Sequence, residues 1–270
     1  MTTSSVSKVP SAFIWRRLHS LAGLWFVLFL IEHLLTNSQA ALWPGDNGRG
    51  FVRMVNMLHN LPYLQVIEIT LLGFPILLHI VLGVRYLFTA RFNVSKGDGS
   101  TPYLPLKRNY AYTLQRITSW ILLVCLVIHV VKFRFIEYPQ MLQRGVETLY
   151  LVKVKPDKGL PSVAERLGVQ LQENSSGELI ATTTDFGTAT LLTVRDTFKN
   201  PFYIALYTLF VLAACFHAFN GFWTFLISWG WVLKMAAQRT WATISVVIMF
   251  IMLFLGLAAV WGTYWLNLKV

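Results

Sequence analysis

The 270-residue chain is 55% hydrophobic and 13% charged, with a mean hydropathy of +0.55. A soluble domain carries about 25% charged residues, so too few polar side chains remain here to coat a water-facing globule, and a lipid-facing surface is implied. The net charge of +11 does not signal nucleic acid, because the basic residues gather at the ends of apolar runs, where anionic lipid headgroups lie.

Five apolar stretches reach the roughly 20 residues that a helix needs to cross a bilayer: about 19–41, 63–90, 110–136, 199–231 and 240–267. Backbone groups in lipid must be bonded internally, so each is expected to be a helix. The fold class predicted is an all-α membrane protein, a single bundle of five transmembrane helices. The first stretch, with Arg16 and Arg17 before it and Ala40 and Ala41 behind, has the outline of a signal peptide, but it is expected to be retained as a span. Pro75 is expected to kink the second helix, and the fourth runs long enough to tilt or protrude. Cys125 and Cys215 sit inside apolar runs, without metal-site or disulfide spacing, and read as packing residues.

Short-loop charges set the orientation. Lys8, Arg16 and Arg17 precede the first helix; Arg91, Lys96, Lys107 and Arg108 separate the second from the third; Lys234 and Arg239 separate the fourth from the fifth. The opposite side has only Arg49 and Arg53 in its short loop. This predicts a multi-pass protein of a bacterial-type inner membrane, amino terminus cytoplasmic and carboxy terminus outside. The 137–198 segment is read as a small outer-side insertion, with strands at Leu149–Lys155, Glu178–Thr184 and Thr188–Val194 and a short helix from Pro161 to Gln172.

Four of the six histidines lie within apolar helices: His33, His79, His129 and His217. An ionisable residue there is costly, and one on each of four helices points to function. His33 and His129 lie about one turn from the outer ends of their helices, whereas His79 and His217 lie about 25 and 27 Å below theirs at 1.5 Å per residue. The four therefore sort into an outer pair, His33 with His129, and an inner pair, His79 with His217. Bis-imidazole ligation needs two histidines at matched depth on facing helices, so two pairs predict two b haems enclosed by the bundle, with iron held by these four residues. A zinc site would gather its ligands at one depth. A haem-free transporter would more often show carboxylates in mid-membrane and broken helices.

Glycine follows histidine by four residues at His19–Gly23, His79–Gly83 and His217–Gly221, on one helix face. Gly83 and Gly221 are read as leaving room for a macrocycle, against the alternative of ordinary small-residue packing. Arg16, Arg17, Arg85, Arg116 and His19 lie toward the cytoplasmic ends, where they can meet haem propionates or serve as interfacial anchors. Glu32 and Glu68 are the acidic residues within the helices, both near the outer end. With His59 they are the candidates for quinone protonation, and Asn37, Asn56 and Asn60 are weaker candidates for quinone contact.

With these residues in place, the chain resembles the five-helix dihaem cytochrome b membrane-anchor subunit of type-B succinate:quinone oxidoreductases (succinate dehydrogenase and fumarate reductase, complex II). The matching segments are Trp-Arg-Arg-Leu-His-Ser at 15–20, Ile-Glu-His-Leu at 31–34, Leu-His-Ile-Val-Leu-Gly at 78–83, Leu-Gln-Arg-Ile-Thr at 114–118 and Phe-His-Ala-Phe-Asn-Gly-Phe-Trp at 216–223. The resemblance implies that His79 and His217 ligate the haem nearer the cytoplasmic partners and that His33 and His129 ligate the distal one. It implies a flavoprotein and an iron–sulfur subunit as partners, and menaquinone as the quinone. The long segment after the third helix departs from the compact family pattern. The alternatives are another bis-histidine dihaem cytochrome, such as an ascorbate-type reductase, and a haem-free transporter or anchor; the direction, succinate oxidation or fumarate reduction, stays open.

Overall fold

The computed structural model describes residues 9–89, 93–99 and 102–270; Lys8 and Arg91, used above for orientation, lie outside the described residues. Five helices are long and apolar enough to cross a membrane: Ser11–Ser38, Leu64–Phe88, Lys107–Ile136, Pro201–Ser228 and Met235–Asn267, the first to fifth spans. The first starts eight residues earlier than expected, directly after Pro10, whose carbonyl accepts from the Phe13 amide at 2.9 Å. Arg16, Arg17 and His19 therefore sit on helix. The fourth is opened by Asn200, whose side chain accepts from the Phe202 amide at 2.9 Å, with Pro201 as its first residue.

The fourth span is the centre of the bundle and packs on the first, third and fifth; the second leans on the first and barely meets the third. Large apolar side chains such as Phe74, Phe250 and Phe254 point outward along the spans. Pro75 has no amide hydrogen to offer the Leu71 carbonyl one turn back. The chain answers this in two ways: Glu68–Gly73 widens into a π-helical turn, and the Trp25 indole N–H of the first span donates to that carbonyl. A polar group freed within an apolar bundle is thus satisfied by a neighbour.

At the end of the bundle where the first span finishes, a short helix, Arg49–His59, lies beneath a cap built from 137–198. The cap is a four-stranded antiparallel sheet in the order β1-β2-β4-β3, formed by Gln140–Arg144, Glu147–Lys153, Gln170–Glu173 and Leu179–Thr183, with helices Leu160–Leu167 and Phe186–Thr197. Two sequence readings are corrected here. The Thr188–Val194 stretch is helix, not strand. Asp185 caps it by accepting from the Thr188 amide at 2.6 Å, and Thr190, Thr193 and Thr197 return their hydroxyls to carbonyls one turn back, which removes the cost of their polarity in a buried helix. The helix expected to run from Pro161 to Gln172 stops at Leu167, because Gly168 turns left-handed (φ +65°) and β3 follows.

The cap is fastened by Arg195, which is fully buried. Its guanidinium donates to both carboxylate oxygens of Asp157 at 2.7 and 2.9 Å and to the Leu268 carbonyl at 2.6 Å. Lys199 bonds Asp157 at 2.9 Å and Asp196 at 2.7 Å. This joins the cap to the end of the fifth span. Burial raises the Asp157 carboxyl, but its hydrogen bonds and charge contacts with Arg195 and Lys199 outweigh that and hold it below the usual carboxylate range. A carboxyl depressed on folding adds stability above its unfolded pKa, about 3.9, and loses it as pH falls toward the folded value. Asp157→Asn is therefore expected to cost the cap about 3 kcal/mol at neutral pH. Acid-induced exposure of 137–198 to protease, beginning below about pH 4 in the parent, should lose its Asp157-dependent part in the variant.

Candidate functional site

The bundle gathers imidazoles in two layers. Toward the end where the first span begins, the ring centres of His79 (second span) and His217 (fourth) are 6.3 Å apart, nearly perpendicular at 83°. Toward the cap end, His33 (first) and His129 (third) are 5.8 Å apart at 87°. His19 belongs to the first layer, stacked on His79 at 4.1 Å and 11°. His33 follows it on the same helix after 14 residues, about 21 Å of rise.

The ring contacts are specific. His79 Nδ1 lies 3.0 Å from the main-chain carbonyl of His19, and His217 Nδ1 lies 3.2 Å from that of Gln115. A carbonyl only accepts, so each Nδ1 carries the proton and each Nε2 presents a lone pair. Thr118 Oγ1 also reaches His217 Nδ1, at 3.4 Å. At the cap-end layer, His129 Nδ1 is 3.2 Å from the Tyr207 hydroxyl, while His33 stacks on Phe29. Among the described residues no group of three or more His, Cys, Asp or Glu side chains is gathered as a single-ion site would require.

The glycines turn out to face imidazoles on neighbouring helices. A Cβ on Gly23 would lie 3.0 Å from His79 Cε1, and one on Gly83 would lie 3.4 Å from His19 Cε1. The His-x-x-x-Gly pattern on two packed helices thus lets each receive the other's ring. Gly221 faces the Gln115 amide instead, at 3.6 Å.

Arg116 donates to the Tyr86 carbonyl at 3.4 Å and to the Tyr112 hydroxyl, yet its Nε is buried without a partner among the described residues, as is His19 Nδ1. Arg17 donates to the last carbonyl of the fourth span, at Ser228, and packs between Phe13 and Trp229, the position of a helix C-terminal cation. Arg16 and Arg85 are exposed.

At the cap end, Glu68 pairs with Arg134 at 2.7 Å, and Arg134 lies over the Tyr138 ring. His59 stacks on Phe186 at 3.7 Å, and its Nε2 is 3.4 Å from the Tyr150 hydroxyl. Burial lowers the His59 pKa and Arg134 adds to this, against the opposing pull of Glu68. Glu32 accepts from Thr36 Oγ1 at 2.8 Å. Asn37 is bonded to the His33 carbonyl, and Asn56 joins Asp185 and the Gly187 amide, so both serve the scaffold.

Sequence reasoning missed Gln115. It accepts the His217 ring N–H at its carbonyl, donates to the His217 carbonyl at 3.0 Å and accepts from Asn220 at 2.8 Å. Its signal was present, a neutral amide inside an apolar helix, where such a side chain must be bonded to a neighbour. It also missed Arg134, and Lys132, which is buried and paired with Glu137.

Over 251 residues, covering 93% of this chain and 96% of the relative, the sequence is 26% identical to the succinate dehydrogenase cytochrome b558 subunit of Bacillus subtilis (strain 168). Over nearly its whole length the chain is thus similar to a succinate dehydrogenase cytochrome b subunit. The match covers nearly the whole chain and so agrees with the resemblance drawn from the five segments. No family model matches the chain, and no solved structure does.

Alanine at position 83 or 23 separates the two glycine roles. Glycine to alanine inside a helix gains about 0.5–1 kcal/mol where space allows. Gly83→Ala is expected to raise the thermal unfolding temperature in detergent, whereas Gly23→Ala, pressed on the His79 ring, is expected to lower it or leave it unchanged.

Proposed function

We propose that the chain is the membrane-anchor cytochrome b subunit of a succinate:quinone oxidoreductase, relaying electrons from an iron–sulfur subunit through two bis-histidine b haems to a membrane quinone, with menaquinone favoured by the resemblance. One observation carries this reading: imidazoles from four spans meet in two layers. Two imidazoles bonded to one metal at about 2 Å each put their ring centres about 6 Å apart, and the separations of 6.3 and 5.8 Å lie on either side of that figure.

The surroundings fit the group. A metal-bound histidine typically donates its other ring N–H to a carbonyl or carboxylate, the arrangement of His79 and His217. The partnerless Nε of Arg116 and Nδ1 of His19 suit a carboxylate such as a propionate. His79 and His217 would hold one haem, and His33 and His129 the other. Bound b haem supplies one-electron transfer at a potential set by its axial ligands, local polarity and nearby charge.

The chain's own residues do the rest. The His19 and Gln115 carbonyls fix the tautomer and the orientation of the inner imidazoles. Gly23 sets how closely the His79 ring approaches the first span. Glu68 Oε2, held by Arg134, keeps a proton-accepting carboxylate at the cap end, beside His59 and on the side of Glu32, where a quinone would take up protons. Without a dinucleotide fingerprint or a cysteine cluster, the chain would depend on flavoprotein and iron–sulfur subunits for succinate chemistry. The excess of basic residues at the amino-terminal end supports a cytoplasmic position for that end and these partners in a bacterial-type inner membrane, with the carboxy terminus outside.

Replacing His79 or His217 with alanine should remove one haem per chain and prevent assembly with the soluble subunits; an unchanged dihaem spectrum in either variant would overturn the ligand assignment. Glu68→Gln should leave the optical spectrum intact and slow quinone reduction by about a hundredfold, the lower range for a lost proton-transfer group. An unaltered rate would remove Glu68 from the proton path.

A further inference from the structure

Between the Arg49–His59 helix and the cap lies a cleft of about 470 Å³, outside both histidine layers and outside the Glu68–Arg134 cluster. Arg49, Val52 and Arg53 line one wall, while Asn47, Arg166 and Thr188 contribute to the others. No carboxylate is among its lining residues. The two acids nearby are already engaged: Asp46 accepts from the Gly48 amide at 2.8 Å and from Asn267 at 3.2 Å, and Asp185 accepts from the Thr188 amide at 2.6 Å and from Asn56 at 2.5 Å. Arg166 is held in position by Asn47 at 3.0 Å, Ser162 at 3.0 Å and the Val270 main chain at 2.7 Å. The side chains of Arg49 and Arg53 make no hydrogen bond or ion pair among the described residues. Being four apart, they share one face of the helix, and Arg49, its first residue, stands where the helix dipole adds positive potential.

A second, smaller cleft adjoins through Arg53 and is walled by Leu35 of the first span, Gly50 and Met54. The cationic cleft thus shares Arg53 with a smaller cleft that reaches the first span at Leu35.

We infer that this cleft binds a phosphate group through Arg49 and Arg53, with Arg166 closing the far side. The same chemistry is offered by an anionic phospholipid of the cap-end leaflet, whose chain would run along Leu35 and Met54, and by free phosphate. The Arg pair suits either, since guanidinium groups match phosphate oxygens two at a time. Nothing in this inference depends on haem.

The full chain is placed in nanodiscs of phosphatidylcholine, with or without a small fraction of phosphatidylglycerol, and lipid retained on release is counted by native mass spectrometry. Wild-type chain is expected to keep one phosphatidylglycerol in preference to phosphatidylcholine. Arg49→Gln with Arg53→Gln should weaken that retention about 25-fold, at about fivefold per basic residue. Arg49→Lys with Arg53→Lys should restore part of it, and Arg144→Gln, a single charge loss on the exposed β1 strand, should leave it unchanged where one charge lost in the cleft would cost about fivefold. Retention that inorganic phosphate does not displace assigns a lipid headgroup. Saturable thermal stabilisation by inorganic phosphate in phosphatidylcholine alone, lost in the double glutamine variant, assigns free phosphate. No preference for phosphatidylglycerol and no response to phosphate, or responses equal in wild type and double glutamine variant, would overturn the inference. The haem spectrum recorded on the same samples keeps this outcome separate from the electron-transfer reading.

Discussion

An imidazole in an apolar helix bundle has two ring nitrogens and no water to satisfy them, and the interior of this molecule is organised around that constraint. Carbonyls of a neighbouring span take the Nδ1 protons of His79 and His217, and a tyrosine hydroxyl sits at His129 Nδ1. Each of these contacts ties two spans together, so polar satisfaction and helix packing are a single arrangement. The second span reaches the bundle mainly through the first, and His79 on the His19 carbonyl, Gly23 beneath its ring and Trp25 on the Leu71 carbonyl all lie on that seam. Since an unpaired polar group away from water costs roughly 1–3 kcal/mol, shifting one helix by a turn would forfeit several such contacts at once.

The cap answers the same constraint with charge. Arg195 is a fully buried cation, tolerable only because Asp157 and the Leu268 carbonyl consume its donors. The result is a rigid cover over one end of the bundle. Beneath it the Glu68–Arg134 pair and the His59 stack bring together residues from the second span, the third span, the short helix and the cap. The Glu68–Arg134 pair, His59, the cationic cleft and the cap-end histidines therefore share one end of the molecule.

The spans were legible because lipid imposes a length and a composition that 270 residues cannot satisfy by accident, and the histidine pairs were legible because helical rise converts residue number into depth. The limits are equally physical. Thr188–Val194 has the composition of a strand, and only the Asp185 cap and the back-bonded threonines make it helical. The glycine spacing was visible, but which ring each glycine faces depends on helix rotation, which a single sequence does not encode. Gln115 acts through a partner 102 residues away in sequence and Arg134 through one 66 residues away, and contacts of that span come only from the assembled fold. Pro75 was read as a kink; the carbonyl it frees, and the indole that rescues it, required the neighbouring helix.

We propose that four imidazoles in two layers hold two haems within one chain. The most direct measurement is the haem-to-protein ratio of the purified membrane complex, taken together with its reduced-minus-oxidised optical spectrum. Two b haems are expected for each copy of this chain. A ratio of one or zero would contradict it.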